Sequence, residues 1–161
     1  MLKEQNMEVD EEKFNQIKGK ARNSYDAKSK IFCPYFGFDI TLNSDGFHHL
    51  QFSARRERSK KEQLLKFRLL PLVFKVIKNS GTVQEMRSDL RPFGKRGRDG
   101  FIPMKTISYF AFIAIIGEEK KVKIKTILRR VGGGNVMFWS VMPCSRLKNG
   151  QKLYSGDIED E

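Results

Sequence analysis

Two histidines stand side by side in this chain, His48 and His49, and they are its only two. An imidazole titrates near neutral pH, so either one can give or take a proton during a reaction. Adjacent side chains diverge by about 100° on a helix and by nearly 180° on a strand, so at most one of the pair points into a given cleft. A mechanism built on both imidazoles together is therefore not expected. On a helix, His48 shares a side with Gln51 and Arg55, and His49 with Ser53 and Arg56. A surface or capping role is the plain alternative for each.

Cations follow at once. The run Arg55-Arg56-Glu57-Arg58-Ser59-Lys60-Lys61 suits phosphate binding, because the planar guanidinium meets phosphate oxygens two at a time. Charge alone is weakly specific, and a solvated surface would look the same. Further on, Val122–Arg130 alternates as a strand, which puts Lys123, Lys125 and Arg129 on one side and Val122, Ile124, Thr126 and Leu128 on the other. That pattern fits a cation-lined cleft beside a buried face. It fits an ordinary solvent-facing antiparallel strand equally well. On the last strand, strict alternation groups Phe138, Ser140 and Met142 on one face and Trp139 with Val141 on the other. The Ser140 hydroxyl could bond a phosphate oxygen, and Trp139 could stack a base or simply fill the core.

Other chemistries find less support. Gly132–Gly134 lacks a following Lys-Ser/Thr and helix, so it reads as a turn rather than a phosphate loop. Cys33, His48, His49 and Cys144 are four zinc-ligand types without zinc-ligand spacing. No local motif supports a Cys–His nucleophile, and no clustered set of carboxylates suggests a two-metal nuclease. Neither a metal nor a cofactor is expected.

The elements that must position these groups follow from periodicity. Residues 9–28 read as a helix, with Asp10 as N-cap and Phe14, Ile17, Ala21 and Tyr25 facing inward. Ile31–Leu42 reads as a strand punctuated by Pro34 and Gly37. Asn43 to Gly46 forms a turn or helix start, and Phe47, Leu50 and Ala54 fit a short helix. A longer helix spans about Lys60 to Asn79, with Leu65, Leu69, Leu72, Val73 and Val76 as its apolar stripe. Lys61, Arg68 and Lys75 lie on roughly one side of it. Pro71 inside this helix predicts a kink or two abutting helices. Thr82–Leu90 is a candidate strand and Pro92–Met104 a loop. Thr106–Gly117 and Lys121–Arg130 form a hairpin around Glu118-Glu119-Lys120. A glycine turn then leads to Val136–Met142. The expectation is an α+β domain, N-terminal helices on a roughly four-stranded antiparallel sheet. It divides into an N-terminal helix over 1–29, a main unit over 30–145 and a polar acidic tail over 146–161, all one structural domain.

The totals narrow the partners. The chain has 161 residues, with 31 Lys+Arg against 19 Asp+Glu, for a net charge of +12. From Arg55 to Arg98 fourteen basic residues face four acidic ones, whereas the last five residues hold four acids. A basic middle between acidic ends favours a polyanion such as RNA or DNA over a uniformly soluble surface. No apolar run approaches the roughly 18 residues of a membrane span, and the start does not read as a signal peptide. With two widely spaced cysteines read as free thiols, a cytosolic protein without membrane contact is the expectation.

Cys33-Pro34-Tyr35-Phe36, Asp39-Ile40-Thr41, Asp45 to Phe52, Arg58 and Gln63 to Pro71 resemble proteins of phages and mobile elements grouped with the barnase–EndoU–colicin–RelE-like nucleases. The strands Tyr109–Ile115, Val122–Arg130 and Phe138-Trp139-Ser140-Val141-Met142-Pro143 sit where that fold places its sheet, so the resemblance covers about residues 30–145. It implies a metal-independent ribonuclease, often a toxin, acting on tRNA or mRNA, with an immunity or antitoxin protein as partner. The family's helix-borne histidine matches His48 or His49, its basic residues match Arg55 or Arg58 and Arg129, and its last-strand hydroxyl matches Ser140. Branches with two separated histidines are not matched here. The reaction so implied joins the ribose 2′-oxygen to phosphorus, with His49 or else His48 handling protons, Arg129 and Lys125 holding the phosphoryl oxygens and Ser140 orienting them. Arg55, Arg56, Arg58, Lys61, Lys123 and Lys125 would bind the flanking phosphates. A nucleic-acid-binding module without catalysis is the main alternative, and a protein-interaction domain is a third.

Overall fold

The computed structural model describes residues 10–144. Residues 1–9 and the polar acidic tail over 146–161 lie outside that range. Among the described residues three helices pack on a six-stranded, mostly antiparallel open sheet, giving an α+β architecture.

Helix α1, Glu11–Lys28, starts where the Asp10 carboxylate accepts from the Glu12 amide at 3.1 Å, and it buries Phe14, Ala21 and Tyr25. Helix α2, Ser44–Gln51, starts at Asn43, whose side-chain oxygen accepts from the Gly46 amide. Helix α3, Lys60–Asn79, starts at Ser59, whose hydroxyl accepts from the Glu62 amide. All three caps use short oxygen-bearing side chains to satisfy first-turn amides that lack a helical partner. Pro71 does not split α3 into two helices. It lies on the exposed side, while Phe67, Leu70, Val73 and Ile77 anchor the turns before and after it in the core.

The sheet order is β1-β2-β6-β5-β4-β3. Strands β3, Glu85–Pro92; β4, Met104–Ile116; β5, Val122–Val131; and β6, Met137–Pro143 form the expected antiparallel meander. The two extra strands come from the segment read as a single strand. It is a hairpin instead, β1, Lys30–Cys33, and β2, Phe38–Thr41, folded at Pro34 to Gly37, where Gly37 takes φ 73° and donates to the Cys33 carbonyl. A left-handed φ of this kind suits glycine, which explains the residue chosen there. Strand β2 then runs parallel to β6, but the two pair only at Thr41 and Met137. Beyond Met137, β6 has no strand neighbour on that side among the described residues.

Helix α2 takes that place. A side chain at position 46 would run into the Phe138 carbonyl, and its Cβ would lie 2.6 Å from the Tyr25 hydroxyl. Only a residue without a side chain lets α2 come so close. The Tyr25 hydroxyl donates to the Asn43 carbonyl, and burial pushes its pKa up. Phe47 fills the space beneath, its ring stacked at 5.5 Å on Phe67 and tilted at 5.4 Å to Tyr25. Complete burial of such a ring contributes about 2–3 kcal/mol. The main core therefore joins all three helices to Phe110, Phe112, Ile124, Leu128, Phe138 and Val141 on one sheet face. A second, smaller cluster, Ile107, Tyr109, Ala111, Ile127 and Met142 with Phe93 and Trp139, sits on the other face and contains no helical residue.

Candidate functional site

The site begins with an irregularity in β6. Ile127 faces Ser140 and the next residue, Leu128, faces Phe138, so Trp139 is an extra residue in the ladder. A bulge of this kind shifts the alternation of side chains by one. The expected grouping of Phe138 with Ser140 and Met142 is thereby overturned. Phe138 and Val141 enter the helical core, and Trp139 and Met142 turn to the opposite face.

At that bulge three elements meet. His49, on α2 and 6% exposed, stacks on the Trp139 indole at 4.1 Å with 28° between the rings. The Arg129 guanidinium, from β5, lies 4.1 Å from the same indole, 5.9 Å from the Tyr109 ring and 5.7 Å from the Phe93 ring. Cross-strand register puts Arg87, Tyr109, Arg129 and Met137 in one row across β3 to β6. This sheet face, which no described helix covers, thus gathers aromatic and cationic side chains, with an imidazole brought to it around the β6 edge. His49 Nδ1, Arg129 Nε and Trp139 Nε1 are all buried without a hydrogen-bond partner among the described residues. Unsatisfied polar atoms of this kind are scarce in folded proteins, so three of them in one stack single this seam out.

Behind the stack lies a cationic layer. Lys66 is 1% exposed, and its ammonium donates to the Val141 carbonyl at 2.6 Å and the Ser140 hydroxyl at 3.3 Å. Arg58 is 5% exposed, donates from Nε to the His49 carbonyl at 3.1 Å and lies 3.8 Å from the Glu62 carboxylate. Gln63 in turn donates to the Arg58 carbonyl, which pins the connection from α2 to α3. Burial, and then Arg58, Lys66 and Arg129, pull the His49 pKa from 6.5 down to about 3. Each of these effects penalises the imidazolium, so the ring is neutral at physiological pH. Burial also lowers the Arg129 pKa, while Tyr109 and Asp45 favour its charge and Arg91 opposes it.

The residues singled out from sequence divide clearly. His49, Arg129 and Trp139 come together, with Ser140 buried just behind them. His48 does not join them; it is exposed and stacks at 4.5 Å on Phe52. Helix α2 ends at Gln51, so Ala54, Arg55 and Arg56 do not continue it. Ser53 folds that segment into a tight turn, bonding the Arg56 carbonyl from both its amide and its hydroxyl. Arg55 is exposed, and Arg56 pairs with Glu62 at 3.1 Å. Lys61 is exposed on α3, and Arg58 has turned inward to hold backbone. On β5, Lys123 is exposed and Lys125 pairs with Glu85 at 2.8 Å, so a phosphate at Lys125 has to compete with a carboxylate. Among the described residues no three His, Cys, Asp or Glu side chains gather to hold an ion.

Lys66, Tyr109 and Phe93 were missed. Lys66 carried a signal, because residues 66, 69, 70 and 73 follow helical spacing and the other three are Leu69, Leu70 and Val73. A lysine on an apolar stripe is a candidate for burial with a purpose. Tyr109 and Phe93 carried none, since their approach to Arg129 depends on cross-strand register.

With the fold and the stack defined, the class is an α+β protein of three helices on a six-stranded, mostly antiparallel open sheet. No family model, curated protein or solved structure matches the chain.

Proposed function

We propose that this protein acts on RNA, as a metal-independent endoribonuclease centred on His49, Arg129 and Trp139. The observation that carries the reading is the convergence of a neutral imidazole and a guanidinium on one indole, at the seam between α2 and the open sheet face. The resemblance to barnase–EndoU–colicin–RelE-like nucleases supports the same reading, since a helix-borne histidine beside a sheet is what it implies. Under this reading the half-buried Trp139 indole supplies stacking surface for a base, and Arg129 holds the phosphoryl oxygens.

The 2′-hydroxyl oxygen forms a bond to phosphorus as the bond to the 5′-oxygen breaks. The proton from the 2′-hydroxyl passes to a base, and the departing 5′-oxygen takes one up. The products are a 2′,3′-cyclic phosphate and a 5′-hydroxyl. A neutral His49 can accept a proton, but three nearby cations make it a poor base in the free protein. A phosphodiester anion bound at Arg129 offsets the positive charge around His49 and raises the imidazole pKa toward the working range. Lys66 fixes Ser140 and the bulge, so its contribution is to position rather than to touch substrate.

Incubation with single-stranded RNA in excess EDTA, followed by end-group analysis, tests the proposal. Fragments with 2′,3′-cyclic phosphate ends from the wild type, and none from His49→Gln, are the expected result. A requirement for a divalent ion, or equal cleavage by the variant, defeats it. A second reading, an RNA-binding module that does not cleave, is favoured by the depressed His49 pKa. Tight, salt-sensitive binding with no product at any pH would select it.

A further inference from the structure

Between β3 and β4 the chain leaves the sheet as an ordered hairpin tip, residues 93–103. The Phe93 amide donates to the Pro103 carbonyl and the Gly97 amide to the Phe101 carbonyl, both at 2.8 Å. The Asp99 carboxylate accepts from the Phe101 amide, and Arg96 donates to the Gly100 carbonyl. Gly94 and Gly100 adopt φ of 96° and 84°, which lets the tip turn this tightly. The scaffold holds three exposed cations, Lys95, Arg96 and Arg98, beside a Phe101 ring that is 75% exposed. Lys95 and Arg98 form no ion pair with any described residue.

An exposed phenyl ring among cations matches one ligand chemistry well. Single-stranded nucleic acid offers phosphates for the cations and an unstacked base for the ring, whereas a duplex keeps its base faces covered. The base of the hairpin also reaches the candidate site, because the Phe93 ring has Lys105 at 5.4 Å and Arg129 at 5.7 Å. The Phe93 ring therefore links the Arg129–Trp139 stack to the base of the hairpin. We propose that the β3–β4 hairpin is a second RNA-binding element that grips the single strand flanking the nucleotide held at Trp139 and Arg129. This rests on the RNA reading of that site.

The test is equilibrium binding of the full chain to a short, unstructured, fully 2′-O-methylated RNA that cannot be cleaved, and to a duplex of the same length, across a salt series. The variants are Lys95→Gln with Arg98→Gln, Phe101→Ala, and Arg129→Gln. Each lost phosphate contact lowers the log–log salt slope by about 0.7 on a single strand, so the double variant should lose about 1.4 and bind on the order of tenfold more weakly at about 0.1 M salt. Phe101→Ala should weaken single-strand binding with the slope unchanged. If Arg129→Gln loses affinity while the hairpin variants bind as the wild type does, the hairpin proposal is wrong and the site reading survives. If the wild type binds the duplex more tightly, the hairpin proposal is wrong as well. If it binds no RNA at any salt concentration, both readings fall.

Discussion

Exchange of His49 for glutamine should make stability respond differently to acid, and the size of the change follows from the site. The imidazole pKa is about 3 in the folded protein, against 6.5 for the solvated ring. The folded state therefore binds fewer protons than the unfolded chain between those values, and the stability contributed by the neutral ring is fully present above about pH 6.5. It is lost progressively as pH falls toward 3, because the unfolded state gains protons that the folded state refuses. Linkage gives a loss of about 2 kcal/mol between about pH 7.5 and pH 5. Glutamine does not titrate, so its own cost in packing is constant across that range. Urea unfolding of both proteins, followed through Trp139 emission, isolates the effect as a difference that cancels all other titrating groups. The wild type's advantage should shrink by about 2 kcal/mol on going to about pH 5. A difference that stays flat, or widens in acid, would mean that His49 is solvated and that the stack on Trp139 is not its resting place.

Other outcomes follow from the same packing. Thr126 is fully buried with its hydroxyl unpartnered, so Thr126→Val should stabilise the protein by about 1 kcal/mol in urea melts. Gly46→Ala forces a methyl group against the Phe138 carbonyl and should destabilise by about 1–3 kcal/mol, seen as a lower denaturation midpoint with an unchanged slope. Trp139 is the chain's only tryptophan, so titration with single-stranded RNA should change its emission, and Arg129→Gln should weaken that response.

Much of the fold could be read from periodicity, and the reasons for the remainder are local. Helices α1 and α3 and the β4–β5 hairpin announce themselves by spacing and caps, and the structure places them within a few residues of their expected bounds. The β1–β2 hairpin was hidden because Phe36, Phe38 and Ile40 continue the alternation across the turn. Its partner strand was further hidden, since a single pairing of Thr41 with Met137 leaves no sequence trace. For the site, His49, Arg129 and Trp139 were legible as residue types, and their union was not. That union needs the β6 bulge, which breaks the period of two that the reading of Phe138 to Met142 relied on. The Arg55–Lys61 run misled for a different reason. The short helix read as far as Ala54 ends at Gln51, Ser53 closes a turn and Arg58 turns inward to hold the His49 carbonyl.

With only two histidines in the chain, nuclear magnetic resonance of imidazole nitrogens can ask the central question of each separately. Addition of uncleavable single-stranded RNA should move the His49 signals and raise its pKa from about 3, while exposed His48, stacked on Phe52, serves as the internal reference. A complex in which the RNA is bound and the His49 resonances and pKa stay as they were would contradict the placement of the phosphate at this seam.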